Sequence, residues 1–279
     1  MLGGQYYDLH STVTRTGALG RNDATCLGCV LAPPGLISPS VGFYEQENRS
    51  FAPPAHTIFY GANLKMSFDL DTLQLSSTTT YRRQKTRHNA GDTDMTPLHL
   101  FEYVGADVGG KTFSQDFQAA SKLGGRFEYL FGLSYLRDRR HFRAAFITPT
   151  SLPALSDSTT SGFLNEGSTD SYAAFLEGYY NVTDQLKVTV GGRYTYDERG
   201  MAGSAFGFPW GVKLRETQRA FTPRFVLAWD NGPTNLYYSY TRGFKAGGFP
   251  DSQIAPPLPV KREKISSHEI GIKHSKLDN

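Results

Sequence analysis

Few residue groups in this sequence have types and spacing suited to chemistry. Cys26-Leu27-Gly28-Cys29 has the spacing of a metal or redox pair. A structural zinc site needs a second pair of ligands at matching spacing, and none follows. A redox pair opens a helix in a βαβ unit, whereas this one lies among prolines and glycines. The expectation is a small local disulfide between Cys26 and Cys29 in an external loop, with an unpaired or metal-bound role as the alternatives. Arg87-His88-Asn89-Ala90-Gly91-Asp92-Thr93-Asp94 sets an imidazole beside two carboxylates, which invites an Asp/His protease reading. Acid–base catalysis needs its members held by rigid elements from different strands, and these share one Gly-containing segment expected to be a loop. His141, in Arg139-Arg140-His141-Phe142-Arg143, reads as part of a solvated basic run that follows a strand. No GxSxG, HExxH, P-loop or dinucleotide fingerprint appears, and Gly109-Gly110-Lys111 lacks the upstream glycine spacing of a phosphate loop. The expectation is a protein with no catalytic residue, no metal ligand and no cofactor.

The elements that would position such groups are extended. The chain has 279 residues, 39% hydrophobic, 20% charged and 13% aromatic, with two cysteines and a net charge of +3 spread along its length. Two cysteines cannot carry a disulfide framework, the aromatic content is too high for a disordered chain, and the charge balance points to no nucleic-acid partner. The first residues, Met1-Leu2-Gly3-Gly4-Gln5-Tyr6, lack the basic and apolar regions of a secretory signal. No window approaches 18 apolar residues, which excludes a helical membrane span but not a β-barrel, whose strands alternate.

Period two dominates. Leu186, Val188, Val190, Gly192, Tyr194 and Tyr196 share one face, opposite Lys187, Thr189, Gly191, Arg193, Thr195 and Asp197. Phe127, Tyr129, Phe131, Leu133 and Tyr135 oppose Glu128, Gly132 and Ser134, and Ile58, Tyr60, Ala62, Leu64, Met66 and Phe68 repeat the pattern. Adding segments near 4–16, 71–84, 111–121, 169–181, 215–229, 235–245 and 263–274 gives roughly ten strands and no helix. Short connections hold turn residues: Asp69-Leu70-Asp71, Lys122-Leu123-Gly124-Gly125, Asn181-Val182-Thr183-Asp184 and Asp230-Asn231-Gly232-Pro233-Thr234. Long ones, 17–54, 85–110, 138–167, 200–214 and 246–262, alternate strictly with them. An antiparallel up-and-down sheet with one tidy end and one ragged end is the pattern of outer-membrane barrels. In that setting Phe127, Tyr129, Phe131, Leu133, Leu186, Val188 and Val190 are expected to face lipid, with Tyr179 and Tyr180 at one interface and Tyr194 and Tyr196 at the other. Strands that cross a bilayer need about 9 to 11 residues, longer than the usual strand of a sandwich.

Residues 237–249, YYSYTRGFKAGGF, place Tyr238, Tyr240 and Arg242 on one face and Tyr237, Ser239 and Thr241 on the other, before Gly243, Gly247 and Gly248 release the strand into a loop. Arg242 and Lys245 are expected near the outer rim, either as cationic contacts for an anionic ligand or lipopolysaccharide phosphates, or as ordinary rim charges. This stretch, with GGRYTYDERG at 191–200, FSQDFQAAS at 113–121 and EKISSHEIGIK at 263–273, resembles the strand and loop signatures of TonB-dependent outer-membrane receptors. The likeness covers roughly residues 55–279.

The resemblance implies a barrel of about 22 strands closed by an N-terminal plug. It also implies a location in the outer membrane of a Gram-negative bacterium and uptake of a scarce nutrient, ferric siderophores first, powered through TonB. The implied partners are outer-membrane lipid, the TonB complex and the ligand; catalysis is not among the implied roles. The sequence departs from that pattern in showing no signal peptide, plug or TonB box. Lys276-Leu277-Asp278-Asn279 reads as the middle of a short turn. Residues 1–279 are accordingly expected to be a partial barrel domain lacking its C-terminal strands. Two other architectures fit the alternation. A self-contained ten-stranded outer-membrane enzyme or adhesin would pair its first strand, near 4–16, with its last, near 263–274. A soluble extracellular β-sandwich, such as a carbohydrate-binding domain, would bury the faces of Leu186 and Phe127 against a second sheet.

Overall fold

The computed structural model describes residues 1–12, 54–92, 102–122, 124–147, 162–250, 253 and 255–275. Among them are eleven strands and no helix: β1 (Leu2–Thr12), β2 (Pro54–Asp69), β3 (Leu73–Asp92), β4 (Glu102–Ser121), β5 (Phe127–Ile147), β6 (Gly162–Asn181), β7 (Leu186–Ala205), the two-residue β8 (Phe208–Pro209), β9 (Leu214–Asp230), β10 (Thr234–Lys245) and β11 (Glu263–His274). They form one antiparallel sheet in chain order, β8 lying off the path against β7. No described helix is long and apolar enough to cross a membrane, which says nothing about crossing by strands.

Register carries one face across the whole sheet. Leu133 stands opposite Phe117 on β4 and Ala174 on β6, Ala174 opposite Tyr194, and Tyr194 opposite Phe221 on β9. Because every second side chain shares a face, one set of residues is apolar: Phe127, Tyr129, Phe131 and Leu133 on β5, and Leu186, Val188 and Val190 on β7. Phe131, Leu133, Leu176, Val190 and Phe221 on this face are exposed. The opposite face carries Thr189, Arg193, Thr195 and Asp197 of β7.

The short turns are built as their residues dictate. Gly124 and Gly232 have φ of 62° and 94°, a conformation costly for any residue with a Cβ. The Gly232 amide donates to Asp230 Oδ1 at 2.8 Å, and the Thr234 amide to Asn231 Oδ1 at 3.0 Å. Thr183 Oγ1 accepts from the Leu186 amide at 3.0 Å, closing the β6–β7 turn.

Several expectations are corrected. The segments 85–110, 138–167 and 200–214 are largely strand: β3 and β4 pair as far as Asp92 opposite Glu102, and β5 and β6 as far as Ala145 opposite Gly162. Arg87 to Asp92 therefore belong to β3, and His141 to β5, instead of lying in loops. Most of these strands run 20 or 21 residues, about twice what a bilayer needs. The closing ladder of a ten-stranded barrel is not found among the described residues, since β1 pairs β2 and β11 pairs β10. Among the described residues no second layer covers the apolar face, contrary to a sandwich.

Candidate functional site

The polar face is organised by glycines that let long side chains cross a strand. Glu177 on β6 and Arg224 on β9 flank Gly191 of β7, which is paired with both. Arg224 Nη1 donates to Glu177 Oε1 at 2.9 Å and Oε2 at 3.0 Å across that gap. A Cβ on Gly191 would come within 3.0 Å of the Glu177 side chain. One strand further on, the Phe175 ring lies over Gly132 and receives the Arg193 guanidinium 5.8 Å from its centroid.

Towards the end with the long connections, the same face bears Asn165, Asp197, Arg199 and Gln218, with Asn165, Asp197 and Gln218 buried. What buries them is the connection between β10 and β11, which turns inward over β6, β7 and β9. The Gly247 amide donates to Gln218 Oε1 at 3.0 Å, and Asn165 Nδ2 donates to the Gln253 carbonyl at 3.0 Å. Gly248 and Val260 pair through two amide–carbonyl bonds of 3.1 and 2.7 Å, folding the loop on itself. The GG of the KAGGF motif is explained by close approach: a Cβ on Gly247 would collide with the Val260 carbonyl oxygen, and one on Gly248 would meet Arg199 Nη1 at 3.1 Å. Phe249 is buried by the same fold. Asp197 and Arg199, from GGRYTYDERG, stand 4.0 Å apart. Asp197 Oδ1 is buried with no hydrogen-bond partner among the described residues, so this pocket of polarity retains acceptor capacity.

The two rim cations separate. Arg242 projects on the face of Tyr238 and Tyr240, and Lys245 on the opposite face with Tyr237, because they are three positions apart and the strand alternates. Both are exposed, so they do not form one anion-binding pair. Cys26 and Cys29 lie outside the described residues, as do Thr93 and Asp94. His141 Nε2 sits 3.5 Å from Asp107 Oδ1 on the neighbouring β4.

One cluster was missed by sequence reasoning. Asp8, His10 and His56 share a face at the β1–β2 pair, with Asp8 Oδ1 2.7 Å from His56 Nε2 and 3.5 Å from His10 Nε2. The two imidazoles stack at 4.3 Å, and the hydrogen bond from His56 holds the Asp8 carboxyl below its usual range. Their ligand atoms lie within 4.8 Å of one another, so the three could hold a borderline cation such as zinc. Asp8 and His10 are spaced for one strand face, but only the β1–β2 register brings His56 to them.

A family model described as TonB dependent receptor-like, beta-barrel matches residues 2–279. The chain belongs to this family. TonB-dependent receptors are outer-membrane transport receptors, and this chain is accordingly an outer-membrane protein whose sheet is barrel wall. No curated protein matched. Similar solved structures include the ferric yersiniabactin uptake receptor FyuA from Yersinia pestis, at 17% identity over 87% of this chain and 36% of that one, TM-score 0.68. The siderophore receptor PiuA from Acinetobacter baumannii matches at 14% identity over 100% of this chain and 45% of its own, TM-score 0.66. The ferric citrate transporter FecA in its unliganded form matches at 15% identity over 82% and 34%, TM-score 0.64. The chain thus spans between about a third and a half of the length of these TonB-dependent receptors.

Proposed function

We propose that this chain is wall and loop of an energised importer of ferric siderophores. Its polar face lines the interior, and Phe127, Tyr129, Phe131, Leu133, Leu186, Val188 and Val190 meet lipid. The observation that carries the reading is the 246–262 loop laid over the polar face, roofing Asp197, Gln218 and Asn165. A loop seated on the interior wall narrows the lumen and brings loop residues over the place where a receptor holds a solute above its plug. Three receptors of similar structure, one for ferric yersiniabactin, one for ferric citrate and one for a siderophore, supply the ligand class. Lys245, on the interior side, is the better candidate for contacting an anionic chelate, and Arg242 for the rim outside. In the whole receptor the plug and TonB supply gating and energy, and residues 1–279 serve as part of the barrel domain. The role is transport, with no catalytic step.

Uptake of radiolabelled ferric siderophore by cells carrying or lacking the full-length gene tests this. Accumulation is expected to require the gene and to collapse when a protonophore removes the energy source. Gene-independent uptake, or uptake indifferent to the protonophore, would overturn the proposal.

A further inference from the structure

The cluster at the β1–β2 pair has no part in the transport reading. Asp8 and His10 stand two positions apart on β1, and His10 is paired directly with His56 of β2, two steps before Thr12 opposite Pro54. Side chains two positions apart share a strand face, and directly opposed ones bring their Cβ atoms within about 5.5 Å. All three therefore project from one small patch. They share the face of Tyr60, Ala62 and Leu64, and register carried across the sheet puts Asp197 and Gln218 on the other. The cluster is thus separate from the residues roofed by the 246–262 loop.

The Asp8 carboxylate reaches both rings, with Oδ1 2.7 Å from His56 Nε2 and 3.5 Å from His10 Nε2. The rings lie 4.3 Å apart with their planes 9° from parallel. A zinc ion with ligands about 2.0–2.2 Å away holds tetrahedral donors roughly 3.3 Å from one another. Donor atoms that already lie within 4.8 Å of one another need only side-chain rotation to converge on such an ion. All three side chains are at least a third exposed, which leaves that rotation free and one coordination position open to water. Two imidazoles and a carboxylate suit zinc, copper or nickel, whereas calcium and magnesium take oxygen donors. Register brings two cations to the same face, Lys85 opposite Ile58 and Arg87 opposite His56. Lys85 is held by Asp107 at 3.3 Å, and Arg87 is exposed, where water and salt screen it.

We infer that Asp8, His10 and His56 bind a borderline divalent transition-metal ion, zinc being the type, through two imidazole nitrogens and one carboxylate oxygen, with water completing the tetrahedron. Because the ligands come from both strands, the ion is held only while β1 and β2 stay paired. Among the described residues β1 has no other partner in the sheet, so its place depends on that one ladder. The ion acts as a clip across the ladder, and the free energy of its binding adds to the pairing of β1. This role is independent of the solute the receptor carries.

The untagged full-length receptor, purified in detergent and stripped with a chelator, would be titrated with zinc chloride by calorimetry. The parent is expected to bind one equivalent more than the variant carrying both His10→Ala and His56→Ala, and Asp8→Asn is expected to weaken that site at least about ten-fold. Cobalt chloride should give the parent the visible absorption of a tetrahedral site, which the double variant loses, and magnesium chloride should not compete. Hydrogen exchange read by mass spectrometry should slow in peptides covering Leu2–Thr12 when zinc is added to the parent, and stay unchanged in the double variant. Heat-modifiable migration of each variant confirms that the barrel is folded, and siderophore uptake is read separately, so failure of the metal site and failure of the transport reading are distinguishable. Equal zinc stoichiometry and affinity in the parent and the double variant would overturn the inference. So would zinc that binds the parent without slowing exchange in β1, which would place the ion elsewhere.

Discussion

The two halves of β5 obey opposite rules. From Phe127 to Tyr135 the odd-numbered side chains are apolar and the sheet's other face is polar. From Arg137 to Ala144 the odd-numbered side chains are basic, and the even-numbered ones include Phe142, stacked on Phe163 at 5.5 Å, and the buried Ala144. The neighbouring strands do the same: Met201 of β7 and Phe163 of β6, both buried, lie on the face that is polar lower down, beneath the inward loop with Phe249. The hydrophobic pattern therefore inverts across one level of the wall. Below it the apolar side chains lie on the exposed face; above it they lie on the opposite face and make a small core under the 246–262 loop.

The sharpest way to break this comparison is to place the same charge in each half. Leu133→Arg is expected to destabilise the folded receptor in liposomes by about 2–4 kcal/mol, while Ser168→Arg, on the same face above the change, costs less than 1 kcal/mol. Urea titration of refolding into vesicles measures both, and equal costs would refute the inversion. The loop side comes next. Gly247→Ala should cost about 1–3 kcal/mol through overpacking against the Val260 carbonyl and Gln218, and should open the 246–262 loop to protease without unseating the barrel. In the lower half, Arg224→Ala should cost about 1–3 kcal/mol, because it leaves the mostly buried Glu177 carboxylate without its two-point partner; Glu177→Gln combined with it should recover part of that loss.

The smallest effect belongs to the short-turn end. Hydrogen bonds from Lys122 and Gln74 hold the Asp69 carboxyl below the ordinary carboxylate range, with Lys122 the larger cause. A depressed folded pKa means the contribution is present above that ordinary value and is lost as the pH falls through the lower folded one. Asp69→Asn should therefore lower stability slightly at pH 7, lose nothing further as the pH falls, and so flatten the acid side of the stability profile; an unchanged acid limb would show that this turn contributes nothing.

The same inversion explains what could be read from the residues alone. Phe127 to Tyr135 and Leu186 to Tyr196 announce themselves because their apolar side chains keep one phase throughout. The upper parts of β3 to β7 read as loops in the sequence, because Arg137 to Ile147 keep extended geometry while their apolar phase shifts from odd to even, which breaks the alternation. Turn chemistry at Asn181–Asp184 and Asp230–Thr234 was legible because backbone geometry there restricts the residue types. The seat of Gly247 on Gln218, the Glu177–Arg224 bridge over Gly191 and the Asp8, His10 and His56 cluster depend on register between strands, which residue types do not encode one segment at a time.

Strand order along the sheet matches order along the chain throughout the main path. Each newly made segment thus finds its neighbour immediately behind it, and no stretch must be held back for a late-arriving mate. Such a wall can grow one hairpin at a time from either side, so a defect in one turn should stall growth locally instead of scrambling the whole, and losses during biogenesis should map onto the position of the faulty turn.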